Sequence, residues 1–247
     1  LLSVDHVEKF YRKGGMFSGE RQHVLKNISF ACKQGESLGI IGESGSGKST
    51  LGRLLLGIEK PDHGTILFEE QRVQNRRTRL GNISAVFQDY TSSINPFYTV
   101  EQAVMEPLKL QMKVPEDRKS KLVTLLHQVG LDSSYLKKYP HELSGGEAQR
   151  VCIARAVATE PKCILFDEAI SSLDGSVQIQ VLELLKSLRN IYNMGYIFIT
   201  HDIQAAAYIC DKVMIIRSGQ IEEMVDVEHL KDVQSAYAKK LLQMIIS

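Results

Sequence analysis

Few architectures accommodate what lies between residues 37 and 57: a short apolar run, Ser37-Leu-Gly-Ile-Ile41, then Gly42-Glu-Ser-Gly-Ser-Gly-Lys48-Ser49, then a helical stretch at 50–57. A strand, a glycine-rich loop and a helix in that order are the setting a phosphate-binding loop requires. Glycine lets successive backbone N–H groups face one anion, and the following helix directs roughly half a positive charge at the same point. Lys48 adds a full charge, Ser49 can ligate magnesium, and Thr50 can reach an inner phosphate. Gly57 is placed to cap the helix at its C-terminus.

Around this unit the apolar pattern alternates between strand and helix. Residues 2–7 and 23–32 read as strands, separated by a glycine-rich stretch at 14–19. A third short strand, 83–87, ends at Gln88, after which the chain becomes helical from about 100 to 130. Thr99 and Gln102 have capping-box spacing there, and Pro107 and Pro115 divide the helical stretches. A second capping box, Ser144 with Glu147, opens a helix that Pro161 stops. Residues 163–166 form an apolar strand, and Val177, Val181, Leu184, Leu185 and Leu188 mark one face of the next helix. A buried strand at 196–200, a helix, a β-ribbon near 212–225 and an amphipathic helix at about 235–246 complete the chain. The expected fold is α/β: a mainly parallel sheet covered on both faces, an N-terminal antiparallel β-region and an inserted helical lobe.

Composition removes several alternatives. The 247 residues, 43% hydrophobic and 24% charged, suit one large α/β domain or a core with a smaller lobe, and argue against long disorder. Thirty Lys and Arg against 29 Asp and Glu leave a net charge of +1, without the basic field of a nucleic-acid binder. The arginine-rich patch at 72–79 reads as a solvated loop. Cys32, Cys152, Cys163 and Cys210 lack zinc-site spacing and read as reduced core residues. No run approaches the roughly 18 apolar residues that span a bilayer, so membrane association is expected to pass through partner proteins.

Two further segments carry chemistry. Cys163-Ile-Leu-Phe-Asp167-Glu168 ends a buried strand in two carboxylates. Asp167 can hold a hydrated magnesium, and Glu168 can act as general base on the water that attacks a terminal phosphate. Alone, such a pair is commonly a solvated strand end; with a phosphate loop in the same chain it is persuasive. Leu143-Ser-Gly-Gly-Glu147 starts a helix whose first N–H groups lie beside two residues without side chains, an anion cup.

That last segment resembles the signature of ABC ATPases, and the family's other motifs follow in order. Tyr11 resembles the adenine-stacking aromatic, with Phe10 as the competing position. Gln88 resembles the coupling glutamine, Ser172-Leu-Asp174 the dimer-contact loop, and His201 the switch histidine. The resemblance implies an active ATPase fold over 1–247, with core 1–90 and 151–247 and a helical lobe at about 91–150. ATP and Mg²⁺ are the implied cofactors. It implies catalytic roles for Lys48, Gln88, Glu168 and His201, and magnesium contacts at Ser49, Gln88 and, through water, Asp167. The implied nucleotide contacts are Tyr11, the loop Gly42, Glu43, Ser44, Gly45, Ser46, Gly47, Lys48, Ser49 and Thr50, then Gln88, the signature Ser144, Gly145, Gly146 and Glu147, and finally Asp174 and His201. In the family the signature faces the terminal phosphate held by the opposite subunit, which implies two composite sites per dimer. Serine at Ser171-Ser172, where many relatives carry alanine, leaves the chemistry intact.

Gln88-Asp89, Asn95-Pro96, Thr99-Val100 and Glu106-Pro107 resemble the peptide/nickel importer branch, and most of all its nickel-import ATP-binding subunits. The branch implies a homologous second ATPase subunit, as a heterodimer or a homodimer, two membrane permeases and an extracytoplasmic binding protein. It also implies a peripheral position on the cytoplasmic face of the cell membrane and no nucleic-acid partner. Without the longer, cysteine-bearing C-terminal extension of many oligopeptide ATPases, the chain is expected to serve nickel or a metal chelate, with small peptides also open. The alternatives are a soluble ABC-type ATPase in nucleic-acid handling or regulation, and a scaffold that binds ATP without hydrolysing it; the second would be expected to lack Glu168 or His201.

Overall fold

A computed structural model describes residues 1–12, 20–89, 93–110 and 117–246. In chain order the strands are β1 (Leu2–Arg12), β2 (Arg21–Cys32), β3 (Ser37–Ile41), β4 (His63–Phe68), β5 (Gln71–Arg72), β6 (Ile83–Phe87), β7 (Cys163–Asp167), β8 (Gly195–Ile199), β9 (Lys212–Arg217) and β10 (Gln220–Asp226). The helices are α1 (Lys48–Leu55), α2 (Arg76–Arg79), α3 (Val100–Leu110), α4 (Arg118–Gln128), α5 (Gly145–Val157), α6 (Gly175–Tyr192), α7 (Ile203–Ile209) and α8 (Ala236–Ile246). They divide into two compact units, Leu1–Arg79 with Gly195–Ser247, and Leu80–Met194.

The first unit holds two sheets. One is antiparallel, in the order β2-β1-β4-β5. Its β1 buries Leu2, Val4 and Val7 and slips register between Val4 and Val7, which produces the bulge that the near-alternation of apolar residues conceals. In the other, β3 is fully buried between parallel β8 and β9, and β10 adds antiparallel to β9. A strand covered on both faces has no polar side to show, hence the unbroken apolar run. α8 closes this unit as expected of an amphipathic helix: Tyr237 and Ala238 pack with Ile41, Ile203, Ala206, Val213, Ile215 and Val233.

In the second unit β6 and β7 are parallel, with Ile83 opposite Cys163 and Phe87 opposite Asp167. Among the described residues α3, α4, α5 and α6 accompany them. The Thr99 box forms: Gln102 Oε1 accepts from Thr99 N at 2.9 Å and Thr99 Oγ1 accepts from Gln102 N at 3.3 Å. α6 buries Val181, Leu182, Leu185 and Leu188, close to the expected stripe.

Three expectations change. Pro107 lies inside α3 and does not divide it; the burial of Val104, Met105 and Leu108 holds the helix together around the missing N–H. The 72–79 patch is not a plain solvated loop, because it contains β5 and α2, and Arg79 donates to the carbonyls of Leu56 (2.9 Å) and Gly57 (3.0 Å) at the end of α1. An arginine there satisfies orphan carbonyls at the negative end of the helix. The terminal strands are also longer than the apolar pattern suggests, and β4 and β5 join them. The 14–19 stretch and Pro115 lie outside the described residues. All four cysteines are free and buried. Burial, with Glu36's charge nearby, pushes the Cys32 thiol up to about 12, and burial alone does the same to Cys152, as suits inert core thiols.

Candidate nucleotide site

Because β3 is held on both edges, Gly42 leaves the first unit's sheet at a fixed point. Gly42 has φ 153° and Gly47 φ 107°, and both sit against backbone. A Cβ on Gly42 would lie 2.2 Å from Ile216 O, and one on Gly47 2.8 Å from Leu25 Cδ2 and 3.2 Å from Val24 O. Glycine is therefore required by both conformation and space. From behind, Gly219 N donates to Ser46 O at 3.0 Å and Lys26 N donates to Gly219 O at 2.8 Å, which ties the loop to the β9–β10 turn and to β2.

Lys48 is only 7% exposed. Its ammonium donates to Gly42 O at 2.7 Å and Glu43 O at 3.0 Å, and Ser46 N donates to Glu43 O at 3.2 Å. α1 begins at Lys48 with no side-chain cap and no acidic residue in its first turn. Its positive end is thus left for an anion. Glu43, Ser44, Gly45 and Ser49 are exposed, and space is open over Gly45, where an added Cβ would meet nothing within 4 Å. A nucleotide's phosphates fit this arrangement.

Tyr11 is tied to the chain just beyond that helix, its hydroxyl donating to Glu59 Oε2 at 2.5 Å. Arg53 links the pieces, donating to Glu59 Oε1 (2.6 Å), to the Tyr11 hydroxyl (3.2 Å) and to Thr50 Oγ1 (3.2 Å). Burial pulls the Glu59 carboxyl upward, but the bonds from Tyr11 and Arg53 outweigh it and hold it below the usual carboxylate range. Phe10, the competing aromatic, has its ring stacked on His23 at 4.1 Å with His63 edge-on at 6.2 Å. After β8, buried Thr200 accepts from Asp202 N at 3.0 Å, Asp202 caps α7 through Ala205 N at 3.0 Å, and His201 between them is exposed.

The second unit brings Gln88 and Glu168 to one end of a strand pair, since Phe87 and Asp167 lie opposite each other in register. Gln88 is exposed, while Asp167 and Glu168 are half-buried. Glu168 has φ 51°, a left-handed conformation costing on the order of 1–3 kcal/mol in a residue with a side chain. Its carbonyl accepts from Ser171 N (3.2 Å) and Ser171 Oγ (2.8 Å), which fixes the turn. Asp174 precedes α6 but makes no side-chain cap bond and is exposed with Ser172.

Ser144 caps α5 as expected: Glu147 N donates to Ser144 Oγ at 3.3 Å and Ser144 N donates to Glu147 Oε2 at 2.7 Å. The other oxygen of Glu147 accepts from the Tyr135 hydroxyl. That bond first, then the one from Ser144 N, holds the Glu147 carboxyl below its usual range. Both carboxylate oxygens are thus turned inward, and Glu147 braces the helix end while Ser144 stays exposed and Gly145 and Gly146 carry no side chains. Arg53, Glu59 and Tyr237 around the loop in the first unit, and Tyr135 beside Glu147 in the second, come without any warning in the sequence, because each acts through a contact with no local spacing.

Among the described residues no group of three or more His, Cys, Asp or Glu could hold a metal ion. The side-chain oxygens of Ser49 in the first unit, and of Gln88 and Asp167 in the second, are each of the hard type that magnesium takes beside water and phosphate.

The sequence profile of the family described as ABC transporter matches residues 25–171. The chain is 48% identical over 248 residues to the metal-staphylopine import system ATP-binding protein CntF of Staphylococcus aureus, covering 100% of both chains. It is 43% identical to the nickel import ATP-binding protein NikE of Escherichia coli O157:H7, over 90% of this chain and 86% of that one. To the oligopeptide transport ATP-binding protein AppF of Bacillus subtilis it is 38% identical, over 94% and 74%. Among solved structures, the dimeric ATP-binding cassette MJ0796 in a post-hydrolysis state with ADP and Pi aligns with a TM-score of 0.82 at 28% identity, covering 92% of this chain and 99% of that one.

Proposed function

This chain belongs to the ABC transporter ATP-binding family, and from that premise we propose that it is the ATPase subunit of an importer that carries a metal chelate or nickel across a cell membrane. The observation that carries the cargo class is the full-length similarity to a metal-staphylopine import subunit. An intact set of reactive groups supports turnover: Lys48, Glu168 and His201 are all present.

The phosphates of ATP are bound by N–H groups within 44–50 and by Lys48, whose ammonium keeps Gly42 O and exchanges Glu43 O for phosphate oxygens. Tyr11 receives the adenine; the Arg53 and Glu59 bonds fix its ring relative to Thr50. Ser49, Gln88 and, through water, Asp167 would hold magnesium, which would neutralise charge developing on the phosphate oxygens. Glu168 takes a proton from the attacking water, and His201 contacts the terminal phosphate. Ser144, Gly145 and Gly146 serve the nucleotide of a homologous second subunit, as a heterodimer or homodimer, and Ser172 and Asp174 lie at that contact.

No helix among the described residues is long and apolar enough to cross a membrane. The similarity to import ATP-binding subunits supports peripheral attachment to two permeases on the cytoplasmic face, with a binding protein delivering cargo outside.

Reconstitution with the neighbouring permeases and binding protein tests the reading. Chelated nickel should stimulate ATP hydrolysis and enter the vesicles, and Gln88→Ala should uncouple hydrolysis from uptake. Stimulation by short peptides alone would overturn the metal cargo, and a Gln88→Ala protein coupled as well as its parent would remove the coupling role.

A further inference from the structure

The hydroxyl of Tyr237, on α8, reaches the nucleotide loop. The side chain is 7% exposed and packs in the apolar cluster with Ile41, the last residue of β3. The Arg217 guanidinium lies 4.8 Å from its ring centroid. The hydroxyl accepts a hydrogen bond from the backbone N–H of Glu43 at 3.3 Å.

That N–H belongs to the peptide unit joining Gly42 to Glu43. The carbonyl of the same unit, Gly42 O, accepts from Lys48 Nζ at 2.7 Å. A trans peptide is planar, so its N–H and C=O point in opposite directions. Tyr237 therefore grips one edge of a plane whose other edge receives the Lys48 ammonium. Gly42, at φ 153°, restrains that plane little by itself, because glycine has broad backbone freedom. Within the loop Lys48 and Ser46 N hold the neighbouring carbonyls, and the hydroxyl of α8 adds a restraint from outside it.

We propose that Tyr237 is a positioning residue of the nucleotide loop: by holding the 42–43 peptide it sets where Lys48 stands, and ATP affinity therefore depends on the docking of the C-terminal helix. Packing and hydrogen bonding act together, since the ring shares a cluster with the strand end from which the loop departs. The inference rests on the reading of 42–50 as the ATP site.

Tyr237→Phe in the full chain separates the hydroxyl from the ring, which stays buried and stacked under Arg217. ATP titration by calorimetry should show Kd raised about two- to tenfold, the range spanned by the net worth of one neutral hydrogen bond, with Tm lowered by no more than roughly 2–4 °C, since the bond is also made without nucleotide. Tyr237→Leu should lose both affinity and Tm. A merely structural tyrosine predicts parental Kd in the Phe variant, and that result would overturn the proposal. Hydrogen exchange at the Glu43 amide is read in parallel on the parent protein, so the test survives a variant that does not fold: slow exchange supports the bond and unprotected exchange refutes it. Parent protein that fails to bind ATP would refute the reading of the loop itself, whereas tight parental binding with no Phe effect would refute only the role of Tyr237.

Discussion

Removing the Lys48 ammonium tests the nucleotide loop most directly. In Lys48→Ala the charge that reaches Gly42 O and Glu43 O is lost from a side chain 7% exposed. At about 4 Å and an effective dielectric near 20, one positive charge attracts one phosphate charge by about 4 kcal/mol. The whole of that is not lost, because the lysine already holds two carbonyls before ATP arrives, each charge-assisted bond being worth about 1.5–3 kcal/mol. Binding exchanges one of these partners for phosphate and keeps the other. The net loss then lies between about 1 and 2.5 kcal/mol, and ATP affinity should fall by roughly five- to seventyfold. Calorimetric titration of parent and variant with Mg-ATP, beside circular dichroism to show that both are folded, measures it. A folded Lys48→Ala protein whose Kd lies within about threefold of the parent would show that the ammonium does not meet the phosphates.

Glu168→Gln should retain ATP binding and lose turnover by about 10²- to 10⁴-fold, because the amide keeps the shape of the carboxylate but accepts no proton; steady-state phosphate release reads this, and parental turnover would assign the base to another group. Gly47→Ala sets a Cβ 2.8 Å from Leu25 Cδ2 at φ 107°, strain on the order of 1–3 kcal/mol. Differential scanning fluorimetry should show Tm lowered by several degrees, roughly 2–4 °C per kcal/mol for a chain of this size, and an unchanged Tm would contradict the close approach.

The parts of the site legible in the sequence are those written over a few consecutive residues. The turn from β3 into α1, the Ser144 and Thr99 boxes and the carboxylates after β7 all depend on spacing within one turn of chain. β4 escaped because only Ile66 and Phe68 of His63–Phe68 are buried, and its partner is β1. Pro107 misled because local propensity says stop, while the burial of Val104 and Leu108 decides otherwise. Arg79 looked solvated because its acceptors are backbone carbonyls at the end of α1, which no side-chain pattern reveals. Tyr11 could be placed by resemblance, but its ties to Glu59 and Arg53 could not. The Glu147 carboxylate was expected both as a capping partner and as a nucleotide contact; the structure shows the first engagement and adds Tyr135.

The pairing of β3 also bears on how the protein is made. Ser37 pairs with Tyr196 and Leu38 with Lys212, so both neighbours of this strand are synthesised long after it. Contacts so distant in sequence carry a large loop-closure cost and form slowly. On the ribosome, the first segment emerges with a buried-type strand that has nothing on either edge, a state prone to association with other chains. The loop is unfinished for the same interval, since Gly219, which donates to Ser46 O, and Tyr237, which receives Glu43 N–H, come last. ATP stabilises only a chain that can bind it; cellular nucleotide therefore protects the completed protein and gives the nascent one no help.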